Sequence, residues 1–102
     1  MNSRTKGHNY ERAMAEKLRE IWPECATTRY KGSAWLDRCG VDLVNTSGYN
    51  IQLKATERTP PYHDILDYMP RGENTNIVIH KRNNRGSIVA IRLDDFIKLI
   101  KR

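Results

Sequence analysis

"GVDLVNTSGYNIQLKAT", residues 40–56, decides how the rest of the chain is read. Two short runs of strand-forming residues flank Asn-Thr-Ser-Gly, which predicts strand, turn, strand. Alternate side chains of a strand share a face. In residues 49–55, Ile51, Leu53 and Ala55 point one way, and Asn50, Gln52 and Lys54 the other. In residues 41–44, Val41 and Leu43 oppose Asp42 and Val44. A two-residue turn at Thr46-Ser47 sets Asp42 opposite Ile51 and mixes polar with apolar. A three-residue turn, Thr46-Ser47-Gly48, sets Asp42 opposite Gln52 and puts Gly48 where such a turn favours a left-handed residue. The second register is expected, and it gathers Asp42, Gln52 and Lys54 into one polar cluster behind an apolar face.

Working outward, residues 9–22 read as a helix with His8 or Asn9 near its cap and Pro23 closing it. Met14, Ala15, Leu18 and Trp22 recur at helical spacing as its apolar face. Residues 1–7 are polar and basic and read as a loose arm. "ECATTRY", residues 24–30, suits a strand, and "KGSAWLDRCG", residues 31–40, a basic loop with two glycines. Downstream, "YHDILDYM", residues 62–69, suits a short helix between Pro-Pro and Pro-Arg-Gly. "NIVIH", residues 76–80, and "SIVAIRL", residues 87–93, form a strand pair around the turn "KRNNRG". Asp94 or Asp95 can cap a last helix running to about Lys101, with Phe96, Ile97, Leu99 and Ile100 as its buried side. The order helix, three strands, short helix, two strands, helix gives a single α/β domain over 1–102: a small mixed β-sheet flanked by helices.

The chain has 102 residues, with 18 Lys and Arg against 12 Asp and Glu, a net charge of +6. That balance makes nucleic acid the first partner to consider. No helix is basic enough on one face to favour a membrane surface. No apolar run approaches the roughly 20 residues that span a bilayer, and the first ten residues do not resemble a signal peptide. A cytoplasmic protein with free thiols at Cys25 and Cys39 is expected. His8, His63 and His80 are widely separated, unlike the clustered pairs of a structural zinc site. No Gly-rich phosphate loop or serine nucleophile elbow is present.

Glu11 stands out on the first helix. Leu18 and Trp22 lie about 20° to either side of it in projection, so this carboxylate falls within the apolar stripe. Burial without a partner would cost several kcal/mol or neutralise the group; a metal or another cation would serve. Oxygen ligands beside a lysine are the equipment of a metal-dependent phosphodiesterase. Mg²⁺ takes hard oxygen donors and is often held by one or two carboxylates, waters and substrate phosphate.

The arrangement resembles the restriction-endonuclease-like, PD-(D/E)xK nucleases. It is most similar there to the small archaeal-type Holliday junction resolvases and their phage-encoded relatives. The matching stretches are "GHNYERAMAEKL", "YKGSAWLDRCGVDLV", "YNIQLKAT" and "NIVIHKRNNRGSIVAIRLDDFIKLI", together most of residues 6–100. The resemblance implies a restriction-endonuclease-like fold and a Mg²⁺- or Mn²⁺-dependent endonuclease acting on four-way DNA as a homodimer. It implies that Glu11, Asp42 and Gln52 arrange the metal, that Lys54 assists the nucleophile, and that Ser33 lies near the scissile phosphate. Gln52 stands where the family has Glu or Asp, and Val41 where its name has Pro. If phage-encoded, the protein would act in the host cytoplasm. A DNA-binding module without cleavage, and a nuclease acting on flaps or ends, are the alternatives.

Each signal also has a plain reading. Asp42 and Lys54 could form a simple ion pair, worth about 0–1 kcal/mol if exposed. Lys54 could guard a sheet edge, and Gln52 could sit on a solvated face. Arg4, Lys6, Arg12, Arg29, Lys31 and Arg38 flank the proposed site and suit a phosphate track, or else a soluble surface. Trp35 is expected in the core, and Tyr62, His63 and Tyr68 are expected to pack the short helix.

Overall fold

The computed structural model describes residues 3–29 and 34–102. The chain runs α1 (Ser3–Leu18), β1 (Ala26–Thr27), α2 (Ala34–Arg38), β2 (Leu43–Val44), β3 (Tyr49–Ala55), α3 (Tyr62–Tyr68), β4 (Thr75–Lys81), β5 (Ser87–Ile91), α4 (Leu93–Ile100). This is the expected order with one short helix, α2, added in the basic loop. Helix α1 starts earlier than expected and takes in most of the stretch read as an arm. Arg4 and Lys6 favour helix, and Gly7 costs only about 1 kcal/mol against Ala, too little to stop a helix anchored further on. Past Leu18 the chain continues in turns, Trp22 N still donating to Leu18 O at 2.8 Å.

Strands β3, β4 and β5 form a mixed sheet. β3 and β4 are parallel, pairing Ile51 with Ile77, Gln52 with Val78 and Lys54 with His80. β4 and β5 are antiparallel, pairing Ile77 with Ile91 and His80 with Ile88. Paired residues share a face, so the period-two pattern sorts the core into two halves. Ile51, Leu53, Ile77 and Ile79 pack with Met14, Ala15, Cys25 and Leu43, placing α1 on one side. Val78 packs with Leu66 and Met69, placing α3 on the other. Trp22 and Tyr49 close the end of the first half with ring centroids 5.7 Å apart. Gln52 and Lys54 therefore lie on the α3 side.

Two expectations are corrected. The stretch 40–56 is not a regular hairpin: β2 pairs with β1, Leu43 opposite Thr27 and Val44 opposite Ala26, in a separate two-stranded sheet. One backbone bond, Asp42 N to Ile51 O at 2.8 Å, joins the two halves. It sets Asp42 against Ile51, not Gln52. Left-handed backbone at both Asn45 (φ 63°) and Gly48 (φ 90°) turns the chain between them; Gly48 is the left-handed position expected. The second correction is α4. Leu93, Phe96, Ile97 and Ile100 are exposed and the helix has no buried residue.

Candidate active site

Asp42 is the hinge of the site. Its backbone oxygen accepts from Thr28 N at 2.9 Å and from Thr28 Oγ1 at 3.3 Å. Its side chain turns to β3, where Oδ2 accepts from Leu53 N at 2.7 Å. A carboxylate thus occupies the ladder position that a backbone carbonyl would fill in a true hairpin, and stitches the two sheets together. Only 9% of the residue's surface is exposed. Burial pushes the carboxyl up to about 7; the Leu53 N–H opposes this, Glu11 and Asp37 add to it, and Lys54 opposes it. Asp42 therefore feels the charges of Glu11, Asp37 and Lys54.

Glu11 does have a cationic partner. Both its oxygens accept from Arg29 Nη2, at 3.2 and 3.5 Å. The Glu11 side chain is 14% exposed, and that of Arg29 48%. Arg29, expected on a phosphate track, here offsets the charge of a nearly buried carboxylate.

Gln52 and Lys54 open into a cleft of about 300 Å³ lined also by Asp37, Arg38, Gly40, Asp64 and Tyr68. Gly40 adopts φ +80°, and a β-carbon there would stand 2.6 Å from Gln52 Oε1. The glycine thus leaves space for the amide oxygen. Tyr68 OH donates to Arg38 O at 2.8 Å, tying α3 to the end of α2 across the cleft. Asp37 and Asp64 are site residues that the sequence reading passed over. Asp37 sat in a stretch read as loop, and its approach to Asp42 depends on α2, for which the five residues carry little periodic signal.

The other expected residues divide. Ser33 and Lys31 lie outside the described residues. Arg4 and Glu11, seven apart, share a face of α1, while Lys6 lies about 140° round the helix. Lys6 lines a different groove, with Tyr10, Lys81 and Arg82, so it does not flank this site. Arg12 is exposed and bonds Asn9 Oδ1. Trp35 is 62% exposed, not a core residue. Tyr62 packs α3 as expected, whereas His63 and Tyr68 are exposed. His80 is buried: its Nε2 faces Thr56 O at 2.7 Å and its Nδ1 faces Tyr62 OH at 2.9 Å. The carbonyl requires hydrogen on Nε2, and in the neutral ring Nδ1 then accepts from the tyrosine. His80 is a structural pin between α3 and β4. Cys25 and Cys39 are free thiols.

Comparison with family models, with curated proteins and with solved structures returned no match.

Among the described residues, no three His, Cys, Asp or Glu side chains converge in an arrangement that could hold a metal ion, and no helix is long and apolar enough to cross a membrane. The chemistry of the donors nevertheless fits a hard cation. Asp42 is a buried carboxyl short of positive charge, Glu11 is a second carboxylate whose charge it feels, and Gln52 Oε1 is a neutral oxygen on the cleft wall. Arg29 is the competitor such a cation would meet at Glu11.

Proposed function

We infer that the chain is a divalent-metal-dependent DNA endonuclease of restriction-endonuclease-like type, acting as a homodimer on four-way junctions. The observation that carries this is the buried Asp42 carboxyl, which accepts from Leu53 N and feels the charges of Glu11, Asp37 and Lys54. A purely structural stitch at this position would do better as an amide, which keeps the Leu53 bond without the charge. Glu11, Asp42 and Gln52 would hold Mg²⁺ or Mn²⁺, which when bound supplies positive charge at the scissile phosphate and acidifies water. Lys54 on the cleft wall would orient the attacking water or neutralise charge growing on the phosphate. Arg38 and Arg4 would bind the DNA backbone, a sequence-independent term that weakens steeply with salt. Cleavage would separate the 3′ oxygen from phosphorus and leave a 5′-phosphate.

The experiment is incubation with labelled four-way DNA and Mg²⁺. Paired nicks, lost in Asp42→Asn and Lys54→Ala with the fold retained, are expected. Cleavage that survives Asp42→Asn would show the site to be elsewhere. Flaps cut in preference to junctions would move the substrate and keep the chemistry.

A second reading has its own observation. Glu11 is occupied by Arg29, and Gln52 lacks a full charge, both of which favour a DNA-binding module that does not cut. Tight, salt-sensitive junction binding with no nicks at any divalent ion would select it.

A further inference from the structure

Helix α4 leaves its apolar stripe uncovered. Leu93, Phe96, Ile97 and Ile100 follow the i, i+3, i+4, i+7 spacing of a core-facing helix, yet they are 69%, 47%, 39% and 68% exposed. Away from the stripe, Asp95 and Leu99 are half-buried. Leu93 and the 56%-exposed Val89 of edge strand β5 line one groove, so the stripe runs into the sheet edge. The five side chains expose on the order of 500 Å², and two such faces together reach the roughly 1,000 Å² that a specific interface needs.

The charges beside the stripe identify the occupant. Taking 100° per residue, Leu93, Phe96, Ile97 and Ile100 centre near one direction, and Asp94 and Lys101 both lie about 100° round on the same flank. Lys101 keeps helical backbone (φ −76°, ψ −11°), so the projection holds to that residue. In a two-fold antiparallel pair of helices the same flank of each meets the other with its ends exchanged. Asp94 of one copy then stands beside Lys101 of the other, twice. A parallel two-fold pair would instead carry this flank to opposite sides of the seam in the two copies, so Asp94 of one could not reach Lys101 of the other. We propose that α4 is the contact through which two copies of this chain associate, packed antiparallel about a two-fold axis. For its biological sense this rests on the homodimer within the proposed function; its support is the surface of α4 alone.

Sedimentation velocity on the full chain tests it, from about 1 to 100 µM. The expected result is a species of twice the 11.9 kDa chain mass. Leu93→Glu with Ile100→Glu should weaken the dimer at least ten-fold, with unchanged circular dichroism because both positions are largely exposed. Asp94→Lys should weaken it, and Asp94→Lys combined with Lys101→Asp should restore it. A monomer at every concentration, whether or not α4 captures some other protein, would overturn the proposal. So would a dimer indifferent to both stripe and charge variants. A dimer that fails to cut DNA would sink the nuclease reading and leave this one standing, and a cutting monomer would do the reverse.

Discussion

Leu53 N–H donates to Asp42 Oδ2 at 2.7 Å, so a side chain closes the gap where two strands of different sheets meet. The same carboxyl is raised from its ordinary 3.8 to about 7, chiefly by burial. The native state therefore binds this proton more tightly than the unfolded chain. The contribution to stability is complete below about pH 4 and is lost as pH rises towards 7, at about 1.4 kcal/mol per unit and on the order of 4 kcal/mol in all. Asp42→Asn keeps an acceptor for Leu53 and removes the charge. In metal-free buffer it should match the natural chain near pH 4 and exceed it by several kcal/mol near pH 8, measured by urea unfolding. Mn²⁺ should raise the melting temperature of the natural chain near pH 8 and leave Asp42→Asn unmoved. Equal stability of the two proteins near pH 8 would contradict the buried-charge account.

Gln52→Glu puts a full charge where an amide oxygen now faces Gly40. Without metal, the added carboxylate should lower stability near pH 8 by about 1 kcal/mol, since Asp42 and Glu11 already repel one another there. With Mn²⁺ the order should reverse: apparent ion affinity, read from the metal-dependent rise in melting temperature, should improve about ten-fold, near 1.4 kcal/mol. A variant that binds the ion no better would remove Gln52 from the ligand set.

The sequence carried the apolar side of α1 and the alternation of β3, because both follow short-range periodicity, but not the Leu66 and Met69 packing under α3. Ile51, Leu53, Ile77 and Ile79 alternate with Gln52, Lys54, Val78 and His80, and α1 answers at its own spacing. Register was another matter. The choice between a two- and a three-residue turn assumed that residues 41–44 pair with β3, whereas Leu43 and Val44 turn to β1. That preference is tertiary and leaves no local mark. The Asp42 side chain still reaches across the gap to Leu53 N, where it feels the charges of Lys54 and Glu11. The final helix shows the opposite failure: its periodicity is strong, but periodicity tells which side is apolar and not whose surface covers it.

Arg29 binds Glu11 through Nη2, so it holds the carboxylate against the very cation that the site would recruit. Arg29→Gln should free Glu11, strengthen divalent binding several-fold and leave the natural chain's stability changed by about 1 kcal/mol or less, the arginine being half-exposed. If Arg29 also meets a phosphate in the complex, the salt dependence of junction binding should flatten by about one counterion. Titration of binding against KCl separates these effects. Unchanged ion affinity with a flattened salt slope would make Arg29 a DNA contact only.

Gly40 is held at φ +80° with the Gln52 amide oxygen where a side chain would begin. Gly40→Ala meets two separate obstacles. The left-handed backbone costs a residue with a β-carbon about 1–2 kcal/mol, which no neighbour can relieve. The contact with Gln52 Oε1 can be relieved, since the amide is the free end of a flexible chain, but only by swinging it off the cleft wall. The variant should lose about 1–2 kcal/mol in urea unfolding and should also lose divalent affinity. The two losses come apart in a double-mutant cycle with Gln52→Ala. In that background Gly40→Ala should still destabilise by nearly as much, because the backbone strain remains, but should no longer affect ion binding, because the amide it displaces is gone. Additive losses in both properties would mean that Gly40 shapes the loop alone and that the space beside Gln52 is incidental.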